Sequence, residues 1–72
     1  MKRYAVIIEQ GPRSYSAYVP DLPGCIATGK TLKAVRQSIK DAIQFHIDGL
    51  REEGLAVPEP STVAESVEIQ AA

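Results

Sequence analysis

The chain has 72 residues and a formal net charge of −1, with 44% hydrophobic and 24% charged side chains. That length suits one domain, and the near-neutral balance argues against non-specific binding to nucleic acid or membrane, which leans on a basic surface. A single cysteine excludes an intramolecular disulfide, and with a single histidine it argues against a His/Cys zinc site within one chain.

The first strand is expected where Tyr4, Val6 and Ile8 alternate with Arg3, Ala5, Ile7 and Glu9. Gly11-Pro12 marks a turn. Tyr15, Ala17 and Val19 then share one face of a second strand, with Ser14, Ser16 and Tyr18 on the other, so the two segments form an antiparallel hairpin. Pro20 and Pro23 cannot donate to a ladder, and Gly24 permits the positive φ of a sharp reversal, so the 20–24 stretch reads as a stiff structural corner. Residues 25–28 form a short third strand. Thr31 is a good N-cap for a helix over about 32–53. Leu32, Val35, Ile39, Ala42, Ile43, His46, Ile47 and Leu50 fall on one stripe of that helix, and Gly54 is placed to stop it. Pro58-Glu59-Pro60 is a stiff connector. Val63, Val67 and Ile69 then alternate with Ala64, Ser66 and Glu68, which predicts a final strand over about 66–69, able to pair with the earlier sheet.

The expected architecture is α+β, in the order β-β-β-α-β. A mainly antiparallel sheet carries one long helix on one face, as a single domain over 1–69 with a tail over 70–72. The other sheet face has no helix to cover it and includes Arg3, Ala5, Ile7, Ser16 and Tyr18, so solvent or a partner meets it. A domain this small buries only about 60% of its unfolded surface. Without disulfide or metal, a homo-oligomer, dimer or tetramer, is the remaining common route to stability. No signal peptide is visible, since Glu9 ends the short apolar run, and no run approaches membrane-spanning length. The expectation is a soluble cytoplasmic protein.

The string Tyr15-x-Ala17-x-Val19-Pro20-Asp21-Leu22-Pro23-Gly24-Cys25, the helix after it and the exit Gly54-Leu55-Ala56-Val57-Pro58-Glu59-Pro60 resemble the HicB-like antitoxin family over nearly the whole chain. The resemblance implies a reduced RNase H-like fold of the same β-β-β-α-β order. It also implies a partner, a HicA-like toxin that cleaves mRNA and has a double-stranded-RNA-binding fold. The antitoxin domain would inhibit it sterically, by covering its active surface. Many family members add a C-terminal DNA-binding domain. This chain shows none after the final strand, so direct DNA binding is not expected. The family often has acidic residues in the helix's first turn, where this chain has Lys33-Ala34.

Tyr18, Asp21, Phe45, Asp48 and Glu52 are the candidate partner-binding residues. Phe45 lies off the core stripe near Ala34, Ser38 and Gly49, and Asp41, Asp48 and Glu52 flank it, so these acids suit a basic, RNA-binding partner. Asp21 otherwise accepts a backbone bond and shapes the 20–24 corner. Metal-dependent nuclease chemistry would need several converging carboxylates, and the acids on the helix face away from the core. His46 reads as a packed core residue without a base's orienting partner, and Cys25 as a small buried filler. Lys33, Arg36, Lys40 and Arg51 border the core as solvated side chains without the interleaved aromatics of a nucleic-acid stripe. No catalytic residue, metal ligand or cofactor is therefore assigned. A stand-alone homo-oligomeric module and a vestigial nuclease are the alternatives to toxin inhibition.

Overall fold

The computed structural model describes residues 2–71. Strand β1 (Ile7–Gln10) pairs antiparallel with β2 (Tyr15–Tyr18), in a register that sets Ile7 against Tyr18 and Gln10 against Tyr15. The Gly11 amide donates to the Ser14 carbonyl at 2.8 Å and closes the turn that the Gly11-Pro12 pair announced. Strand β3 (Ile26–Gly29) pairs antiparallel with β2, placing Ile26 opposite Tyr18 and Thr28 opposite Ser16. The sheet order is β1-β2-β3, so each strand lies beside its predecessor in sequence.

The corner between β2 and β3 consists of two successive turns. Leu22 N–H donates to the Val19 carbonyl at 3.1 Å, and Cys25 N–H donates to the Leu22 carbonyl at 3.0 Å. Pro20 and Pro23 occupy the second position of each turn, where their fixed φ is pre-set. Gly24 follows Pro23 with φ of 84°, the positive value that a type II turn demands. The Val19 amide reaches the Cys25 carbonyl at 3.2 Å and carries the β2–β3 register through to the base of the corner. Backbone groups thus close the corner, and the Asp21 side chain takes no part in it. The double turn drives Leu22 inward, where it is fully buried.

Helix α1 (Leu32–Glu52) starts and stops as its residues dictate. Thr31 Oγ1 accepts from the Ala34 amide at 3.0 Å. At the other end Gly54 has φ of 70°. Its amide donates to Arg51 O at 3.1 Å while Leu55 N–H reaches Leu50 O at 2.8 Å, the paired bonds of a Schellman motif. The helix lies over β3 and β2 rather than β1. Val35, Ile39 and Ile47 are buried on its inner stripe, with Ala42 and Ile43 partly so. Ala17, Val19, Leu22 and Cys25 complete the core, and Tyr4, Val6, Ile8 and Tyr15 pack around it. Leu32, expected on the stripe, is 40% exposed because it precedes the first full turn over the sheet.

Gly29 allows the close passage from β3 into α1. A Cβ there would lie 2.6 Å from the Val35 nitrogen and 2.9 Å from its Cα, both backbone atoms. Gly29→Ala must push strand and helix apart, and it should cost about 1–3 kcal/mol in denaturant unfolding. A neutral result would mean that the strand–helix junction is loose.

The expected final strand is absent from the described residues. After the helix, 53–71 form neither helix nor strand, and Val63, Val67 and Ile69 are 78%, 76% and 77% exposed. A helix of 21 residues spans about 32 Å, so the 52 Å long axis of the molecule includes this segment running beyond the body. The reason lies in how the segment is tied. Tyr4 OH donates to the Pro58 carbonyl at 2.6 Å, and Lys2 Nζ meets Glu59 Oε1 at 2.8 Å. Asp21 then holds Ser61 and Thr62. From Ser61 to Ile69 the sequence contains no Gly, Pro, Asn or Asp to turn the chain back onto its own sheet.

Candidate partner-binding surfaces

Asp21 is fully engaged. Its Oδ2 accepts the amides of Ser61 at 2.9 Å and Thr62 at 3.0 Å. Its Oδ1 accepts the hydroxyls of Ser61 at 3.1 Å and Thr62 at 2.7 Å. The Thr62 amide and hydroxyl, followed by the Ser61 amide, hold its pKa down at about 2, against 3.8 for a free aspartate. The carboxylate fastens the C-terminal segment to the end of the sheet. Among the described residues no three His, Cys, Asp or Glu side chains gather as a metal site. Cys25 is buried, and desolvation raises its thiol pKa, so it sits as an apolar filler. His46 is half-buried beside the inner stripe.

Two surfaces remain, on opposite sides of the molecule. Ala17 and Val19 point into the core, so Tyr18 between them points away from α1. The strand register aligns Ile7, Tyr18 and Ile26 across the open sheet face. Ile26 is 70% exposed and Tyr18 42%. The parallel row of Glu9, Ser16 and Thr28 is polar. Ile26 was missed as a surface residue. The inward positions of Cys25 and Ala27 on either side of it were the signal that could have placed it.

The second surface is the outer face of α1. Phe45 is 82% exposed there, with Asp41 and Asp48 one turn away on either side and Glu52 a further turn on. Gln37 Nε2 donates to Asp41 Oδ1 at 3.0 Å and Gln44 Nε2 to Asp48 Oδ1 at 2.9 Å, so two of the three carboxylates are held in place. This arrangement opposes the helix dipole. The first turn has no acid and carries Lys33, while Asp48 and Glu52 sit towards the C-terminal end. Of these, Glu52 in the last turn forgoes about 0.3–1 kcal/mol of helix stability, beside the favourably placed Arg51. The structure thus gathers Phe45, Asp48 and Glu52 on one face, sets Tyr18 on the opposite one, and puts Asp21 at the sheet end between them.

No helix among the described residues is long and apolar enough to cross a membrane. The family model for the HicB-like antitoxin of bacterial toxin–antitoxin systems matches residues 4–71. A 14.9 kDa protein of the rep–hol intergenic region of Haemophilus phage HP1 is 34% identical over 64 residues, covering 89% of this chain and 48% of the phage protein. The chain therefore spans about half the length of that relative. A UPF0150 protein of Thermoplasma acidophilum is 36% identical over 70 residues, covering 96% of this chain and 99% of the relative. In a solved HicA3 and HicB3 toxin–antitoxin complex, one chain matches with a TM-score of 0.72 and 28% identity, over 83% of this chain and 70% of that one. The three-stranded antiparallel sheet, its single long helix and these matches have one reading: the chain belongs to the HicB-like antitoxin family.

Proposed function

We propose that this protein is an antitoxin that binds a HicA-like, mRNA-cleaving toxin and inhibits it by covering its RNA-binding surface. What carries the reading is the outer face of α1, where an exposed Phe45 stands among the acids Asp41, Asp48 and Glu52. Helix stability alone does not account for acids placed towards the C-terminal end. A basic, RNA-binding partner would account for them, with the acids standing in for phosphates and steering association, and the aromatic ring anchoring the contact. The likeness to a chain of the HicA3–HicB3 complex supports the choice of partner. The protein inhibits by shape and charge, and the mechanism requires no catalytic step from it.

The test is co-expression with a HicA-like toxin, followed by affinity measurement. The wild type should rescue growth. Phe45→Ala should weaken binding about 30-fold, the loss of about 2 kcal/mol typical of an aromatic anchor. Asp48→Lys with Glu52→Lys should slow association most strongly at low salt. Tyr18→Ala, on the opposite side, should leave affinity unchanged. A wild type that neither binds nor rescues would overturn the function. Helix-face variants that bind like the wild type would overturn the assignment of the surface.

A further inference from the structure

Beside β1 lies a groove that the fold leaves open. Because α1 covers β3 and β2, the outer edge of β1 and the near flank of the helix enclose a space of about 550 Å³. Val6, Ile8, Ile39 and Ile43 form its apolar wall, and Arg36 and Lys40 are on its rim. β1 is an edge strand with one partner, so its other side presents unpaired backbone groups. At the far end of the same chain, the arm 63–69 has the opposite need. Val63, Glu65, Val67 and Ile69 share one face of it in an extended conformation, and its three aliphatic side chains are solvent-exposed.

We propose that the arm of one copy adds as a fourth strand to the β1 edge of a second copy, and that the exchange is reciprocal in a two-fold symmetric dimer. Three observations favour a second copy as the occupant. The arm does not occupy its own groove: Asp21 ties its root at Ser61 and Thr62, and the residues that follow contain no turn signal to bring it back. Groove and arm belong to the same chain, so one two-fold axis covers both apolar faces in both protomers. The charges also match: with Val67 and Ile69 in the groove, Glu65 faces the same side as the Arg36 and Lys40 rim. Ala64, Ser66 and Glu68 then form the outward, polar face. A seven-residue strand spans about 23 Å, ample for the short β1 edge.

The experiment is sedimentation equilibrium of the intact chain over a dilution series. The wild type should show a mass above the 7.8 kDa protomer, reducing on dilution. Val67→Asp with Ile69→Asp should give the protomer mass with the helical circular-dichroism signal unchanged, since neither residue supports the body. Arg36→Glu with Lys40→Glu should weaken the dimer by about three- to tenfold at low salt, and adding Glu65→Lys should restore it. A monomeric wild type would overturn the proposal, as would a dimer that survives the arm substitutions. A dimer indifferent to the rim reversal would place the arm elsewhere and overturn the groove assignment.

Discussion

Leu22→Ala is expected to lower stability by about 2–5 kcal/mol. Leu22 is fully buried although it stands in a connection between strands. The two turns that Pro20, Pro23 and Gly24 impose leave its side chain a single direction, into the space between Val19, Cys25 and the Val35–Ile39 stretch of the helix. Those turns are stiff, so the surrounding backbone cannot collapse into the cavity that alanine would leave. A chain of this size has about 5 kcal/mol of stability in total, so one substitution removes much of it. The melting temperature should fall by at least about 8 °C, at about 4–8 °C per kcal/mol. A loss below about 1 kcal/mol would show that the corner can relax inward.

Asp21 gives the second large effect, and pH controls it. Its folded pKa of about 2 lies below the ordinary 3.8. The tie to Ser61 and Thr62 therefore contributes in full above about pH 4 and is lost as pH falls through about 2. Hydrogen exchange at the Ser61 and Thr62 amides reads this directly. In the wild type their protection should disappear over that acid window while the sheet amides stay protected. Asp21→Asn can keep its carbonyl on the two amides and turn its NH₂ towards the two hydroxyls, which accept as well as donate. It should retain protection and lose the pH dependence. Asp21→Ala should leave both amides unprotected at every pH. Protection unchanged in Asp21→Ala would mean that the other contacts near Pro58 and Glu59 hold the segment without it.

Most of this fold is legible as local pattern. Alternation marked β2, the turn residues marked both reversals, and Thr31 and Gly54 bounded the helix to within a residue. The prolines and Gly24 identified a constrained corner, and the structure shows which turns they make. What local pattern cannot express is the identity of a distant partner. The alternation of Val63, Val67 and Ile69 says that this segment suits a sheet, but not whose sheet, and within this chain it joins none. Asp21 shows the same limit. Its neighbours in sequence suggested a corner-shaping acid, yet its bonds go to residues 40 and 41 positions away. The candidate contact residues divided for a geometric reason. Tyr18 belongs to the sheet and Phe45, Asp48 and Glu52 to a helix packed on its other side, so no flat partner touches them all.

The meander followed by its helix joins segments that are neighbours along the chain, and such contacts form quickly because little loop entropy is lost. The ties near the ends are different: Tyr4 reaches Pro58 across 54 positions and Asp21 reaches Ser61 across 40. They close last in refolding and open first under stress, because they are exposed and rest on few groups. Melting in two layers is therefore the expected behaviour. The expected minor state has the segment beyond Ser61 released while the body stays native, and hydrogen exchange should detect its opening well before global unfolding.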